Sequence, residues 1–212
     1  MSSPTKSICY LLSGIVLFFL IIFTFAMLKF DIRNCPMGFC VRKSNDIVIV
    51  DDIGILSSPL YMAATVGPWL WRESRVVVRI DSAGGPMRSA RLMSWWTGWL
   101  TTRTEVRFEL PAGATCQSSC TYFWSSTRER SAHPAARFMF HGPARGTARR
   151  AGAGLEDSAR LMEDGIRRVD PVLADVLTAA GAFVPASDGV WKNAESIAEL
   201  GGDYLRLDPT LR

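Results

Sequence analysis

Lysine and histidine are scarce in this chain. Of its 212 residues four are lysines, at positions 6, 29, 43 and 192, and two are histidines, His133 and His141. No lysine stands between Lys43 and Lys192, so a serine–lysine dyad lacks a base in the middle of the chain. The two histidines have no paired metal-ligand spacing, which argues against a zinc site. Charge of one sign is lacking too. The net charge is +4. Residues 1–30 hold Lys6 and Lys29 and no acid, which leaves 22 basic residues against 20 acidic ones. That balance argues against nucleic acid, which needs a basic face or stripe. No Gly-Lys-Ser/Thr follows a glycine turn, so there is no P-loop. At 48% hydrophobic and 21% charged residues the chain is no disordered polar chain, collagen or coiled coil.

What is present begins with residues 8–28, a run of 21 without a charge. As a helix it spans about 30 Å, the thickness of a bilayer hydrocarbon core. A signal peptide has a shorter apolar region followed by a small-x-small cleavage site. Here Lys29-Phe30-Asp31 follows, so the expectation is an uncleaved single-span anchor. Two signals disagree on its orientation. Lys29, Arg33, Arg42 and Lys43 come shortly after the span, which by the positive-inside rule favours a cytoplasmic remainder. Outside the span the cysteines form two close pairs, Cys35 with Cys40 and Cys116 with Cys120. Such pairs suit disulfides in an oxidising compartment, and buried thiols equally. The expectation adopted is an exported globular part.

The rest divides into a juxtamembrane linker over 31–44 and a globular domain over 45–212. Residues 46–55 read as strands broken at Asp51-Asp52, and 60–71 as a helix. Residues 75–80 (RVVVRI) form a near-continuous apolar run, as a buried parallel strand requires. Residues 86–100 read as a helix, 104–110 as an alternating strand, 116–124 as a turn feeding a short helix, and 137–140 as a short strand. Residues 155–180 are helical in pattern, interrupted at Pro171. Alternating strands and helices predict an α/β fold with a largely parallel sheet.

Three places carry chemistry. Gly84-Gly85 directly follow the apolar strand, where glycine lets the backbone turn tightly and aim N–H groups at a ligand or oxyanion. Cys116-Gln117-Ser118-Ser119-Cys120 sets small residues on a turn before an apolar helix, which suits an exposed serine hydroxyl or an N-cap. His141 ends a short apolar strand before Gly142-Pro143, a position open to a general base or a structural histidine. His133, before Pro134, reads as a turn residue at the surface.

At Gly85, Ser118 and His141 together the sequence resembles the Clp-type serine peptidases of the ClpP/crotonase superfamily. It looks most like the membrane-anchored or periplasmic Clp-like proteins of bacteria with a Cys-x-Ser-x-Cys nucleophile turn. Asp81-Ser82-Ala83-Gly84-Gly85 is similar to the family's Asn-Ser-Pro-Gly-Gly loop, with two substitutions. Arg130, Pro134, Arg137, Met139 and His141 keep the family's spacing, and residues 188–203 resemble the segment that opens with its acid.

The resemblance implies a spiral β-β-α fold of the ClpP/crotonase kind behind an N-terminal transmembrane helix. It implies Ser118 as nucleophile, His141 as base, Asp188 as acid, and Gly85 and Ser119 as oxyanion donors. Asp170 and Asp175 stand as substitutes for the acid. It further implies peptide or protein substrates, no cofactor or metal, assembly into a homo-oligomer through residues 155–180, and a periplasmic domain on a bacterial inner membrane. A Cys116–Cys120 disulfide would brace or restrain the nucleophile turn. The substituted glycine loop and the two flanking cysteines also fit an inactive Clp-like scaffold or adaptor. A crotonase-like acyl-CoA enzyme is a third reading.

Overall fold

The computed structural model describes residues 41–44, 47–51, 53–54, 57–70, 74–142, 154–184 and 188–212. The expected anchor over residues 8–28 and the Cys35–Cys40 pair lie outside the described residues. Among the described residues no helix is long and apolar enough to cross a membrane.

The larger sheet grows from the apolar run. Strand β3 (Arg75–Ile80) buries Val76, Val78 and Ile80 on one face. Parallel neighbours cover both of its edges, β2 (Ile47–Val50) and β4 (Glu105–Leu110). Beyond β4 come β6 (Glu129–Ala132) and β9 (Arg206–Leu207), also parallel. At the other edge β1 (Val41–Ser44) runs antiparallel, with Val41 opposite Val50. The stretch read as the end of a linker is therefore an edge strand. The smaller sheet has the order β5-β7-β8. There β5 (Thr115–Gln117) is parallel to β7 (Arg137–Phe140), and β8 (Val190–Asn193) is antiparallel to it.

Among the described residues six helices cover the sheets: α1 (Ser57–Leu70), α2 (Met87–Leu100), α3 (Ser119–Trp124), α4 (Gly154–Arg167), α5 (Pro171–Ala179) and α6 (Ala194–Ala198). The break before α5 has a local cause. Pro171 takes the first helical position, where its missing N–H costs nothing, and the buried Asp170 carboxylate caps the helix by accepting the Leu173 N–H at 2.9 Å. The helix α3 is the centre of the core. Phe123 meets Tyr61 edge-on at 5.4 Å, and Trp124 meets Phe138 edge-on at 5.4 Å. Trp124 is fully buried, and its indole N–H donates to the Tyr204 carbonyl at 3.3 Å. Core aromatics thus fix α3, and with it Ser118, the residue just before it.

Candidate active site

The site is built where β3, β5 and β7 end. The N–H of Ser82, just past β3, donates to the Thr115 carbonyl at 2.7 Å, and the Gln117 N–H returns to the Ser82 carbonyl at 2.9 Å. Asp81 adds a second tie, its Oδ1 accepting the Thr115 N–H at 2.9 Å. The glycine loop is thereby stitched to the strand that leads into Ser118. Gly84 has φ +90°, and a Cβ on it would fall 2.8 Å from the Ser118 Cβ and 2.5 Å from the Gln117 carbonyl oxygen. Only glycine lets the loop approach the serine this closely. The N–H of Gly84 is taken by the Ser82 hydroxyl at 3.1 Å. The exposed Gly85 has no acceptor for its N–H among the described residues, and that donor remains for a ligand.

Ser118 has φ 55° and is the one non-glycine residue with positive φ among the described residues. Such a conformation costs about 1–3 kcal/mol and persists only where its surroundings impose it. Several bonds impose it here. The Ser118 N–H donates to the Met139 carbonyl at 2.9 Å, and its own carbonyl accepts both the N–H and the hydroxyl of Thr121, at 2.9 and 2.7 Å. Cys116 and Cys120 form a disulfide across the turn, with both residues fully buried. Ser119 begins α3, buried, and its hydroxyl has no partner. Replacing both Cys116 and Cys120 with alanine is expected to lower stability by about 2 kcal/mol, the closure entropy of so short a ring. Urea unfolding of the oxidised protein against the double variant measures it.

His141 leaves β7 half-buried, next to the strand that leads into Ser118. Its ring Nδ1 meets the carbonyl of Gly142. A carbonyl only accepts, so in this contact Nδ1 carries a proton, and in the neutral ring it is Nε2 that holds the lone pair a general base needs. On the other side β8 pairs with β7, Phe140 opposite Val190. This brings Gly189 against the histidine, where an added Cβ would lie 2.9 Å from the His141 Cβ. Asp188 precedes it at the same end of the small sheet and is exposed. Among the described residues no hydrogen bond joins Asp188 to His141.

Ser118, His141, Asp188 and the glycine loop thus gather at one end of the strands. The two substitutes for the acid do not. Asp170 holds the Leu173 and Tyr204 N–H groups deep in the core. Asp175 is exposed and bonds Arg167 at 2.6 Å. His133 keeps its turn, its Nδ1 accepting the Ala135 N–H at 3.0 Å. Sequence assigned no role to three contributors: the Met139 carbonyl, the Gly142 carbonyl and Gly189. The Gly-Pro after His141 and the Asp-Gly before β8 are the only signals that hint at them.

No protein-family model and no curated protein matches this chain. Solved structures do. The chain is similar to ClpP1 from Listeria monocytogenes at 12% identity, with a TM-score of 0.61 over 77% of this chain and 92% of that one. It is also similar to the ClpP protease catalytic domain from Plasmodium falciparum at 14% identity, with a TM-score of 0.62 over 79% of this chain and 88% of that one. At these identities the likeness is one of fold, and the chain has a ClpP-like fold.

Proposed function

We propose that this chain is a membrane-anchored serine peptidase with Ser118, His141 and Asp188 as its triad. The observation that carries the reading is the backbone of Ser118. A serine held at positive φ by a disulfide and by the strand that delivers a histidine resembles the strained turns that expose nucleophiles. In the reaction Ser118 Oγ attacks the scissile carbonyl while His141 Nε2 takes its proton. The tetrahedral oxyanion is held by the N–H groups of Gly85 and Ser119. His141 then protonates the leaving amine, and a water molecule hydrolyses the acyl-serine by the same route in reverse. The Gly142 carbonyl keeps the imidazole tautomer, and Asp188 stabilises the imidazolium by its charge.

Residues 8–28 would tether the domain, so that its substrates are peptides or protein segments near a membrane. The Cys116–Cys120 disulfide supports an oxidising compartment, hence a periplasmic domain on a bacterial inner membrane. Helices α4 and α5 would join copies of the chain into a homo-oligomer. The scaffold reading draws on one observation, the exposed Asp188 that no bond joins to His141. Fluorophosphonate labelling of the full-length chain in detergent, with the adduct mapped by mass spectrometry, separates the two. Stoichiometric label on Ser118, absent from Ser118→Ala, is the expected result. A folded chain that takes no label under either oxidising or reducing conditions would favour the scaffold.

A further inference from the structure

A cleft of about 1550 Å³ lies at the other end of the strands, by the starts of β4 and β6. One wall is the outer face of α2. Arg88, Arg91, Leu92 and Trp95 recur there at helical spacing, all exposed, while Ala90, Met93, Thr97 and Leu100 face the core. Trp95 is 64% exposed, a large area of ring to leave in water. Arg128 stands at the head of β6, Arg168 just after α4 and Arg206 on β9. Positions far apart in sequence thus converge on one basic wall.

Its carboxylates neutralise it only in part. Glu105 is paired with Arg75 at 3.0 Å, and Glu129 lies 3.8 Å from Arg206. Arg88, Arg91, Arg128 and Arg168 make no ion pair among the described residues. Beneath this wall the buried Arg130 guanidinium is engaged by backbone, donating to the Thr127 carbonyl and, at 2.6 Å, to the Asp203 carbonyl. Exposed arginines without ion pairs are complementary to carboxylates.

We infer that this cleft docks an extended acidic peptide segment of a partner protein, with carboxylates on the arginines and apolar side chains on Leu92 and Trp95. Glu105, Glu129 and Asp203 in the same wall disfavour the continuous charge of a nucleic acid, whereas a peptide spaces its carboxylates apart. The inference is independent of the reactivity of Ser118, since the cleft and the serine site share no residue.

The test uses the full-length chain carrying Ser118→Ala, in detergent micelles, and a fluorescein-labelled peptide of repeated Glu-Glu-Leu units. Saturable anisotropy is expected, weakened at least about tenfold by Arg91→Glu with Arg128→Glu and by raising salt from about 0.05 to 0.5 M. Arg160→Glu, an exposed arginine outside the cleft, should change it less than about twofold. Circular dichroism confirms that each variant folds. Absence of binding, equal binding of a Gln-Gln-Leu peptide, or indifference to the double reversal would overturn the inference. So would tighter binding of an oligonucleotide, or a change in particle mass on double reversal that marks the cleft as a contact between copies.

Discussion

His141→Ala is expected to slow fluorophosphonate labelling of Ser118, and any peptide hydrolysis, by about six orders of magnitude. The free serine hydroxyl is a weak nucleophile, and among the described residues the strand beside Ser118 supplies one imidazole. The half-buried ring contributes little to the core, so the melting temperature should move by no more than about 2 °C. Asp188→Asn should behave differently. In a triad whose acid alone fixes the imidazole tautomer, that change costs about 10⁴-fold, because the ring turns over. Here the Gly142 carbonyl already holds Nδ1–H. What the asparagine removes is the charge opposite the imidazolium, in an exposed position, and the expected loss is about 10- to 100-fold. Rates for the two variants, each measured against the parent, read this directly. Equal losses would return the orienting role to Asp188 and take it from Gly142.

The strands that sequence shows are those with apolar content to spare. RVVVRI reads as buried β3 because three aliphatic residues point one way into the core. Strand β6, Glu-Arg-Ser-Ala, gives no such sign. Its buried positions are Arg130 and Ala132, and Arg130 is accommodated because the carbonyls of Thr127 and Asp203 accept its guanidinium and the Tyr204 ring lies against it. A buried arginine solvated by backbone from distant residues has no local signature. The edge strand β1 shares the difficulty, since Val-Arg-Lys-Ser reads as linker and becomes a strand by pairing with β2. At the site, the order Gly85, Ser118, His141, Asp188 is visible along the chain. The contact that sets the histidine's tautomer depends on one ring angle and one carbonyl, which no spacing encodes. The arginine cleft is the extreme case. Its members come from α2, β6, β9 and the end of α4, and only the strand order β4-β6-β9 with α2 and α4 alongside brings them together.

Gly85→Ala is expected to cost about 3 kcal/mol or more in stability and to cut Ser118 labelling at least 100-fold, two effects with separate causes. The stability loss has two parts. At φ +151° a side chain is strained, at about 1–3 kcal/mol. The new methyl would also lie 1.7 Å from the Ile53 carbonyl oxygen, which is backbone and has no rotamer to give. Ile53 is itself tied to this loop, its N–H donating to the Gly84 carbonyl at 3.1 Å. The loop has to move away from Ile53, and thermal unfolding should fall by about 6–12 °C. Gly113→Ala isolates the strain. Its φ is +75° and nothing lies within 4 Å of an added Cβ, so it should cost only about 1 kcal/mol. The labelling loss follows from the same displacement. Gly85 presents the free N–H proposed for the oxyanion, and removing one such donor costs about 10²–10³ in rate. Because Gly84 abuts the Ser118 Cβ, a shifted loop also loosens the serine turn. A variant that unfolds earlier yet labels at the parent rate when assayed well below its melting temperature would show that the oxyanion donor is elsewhere.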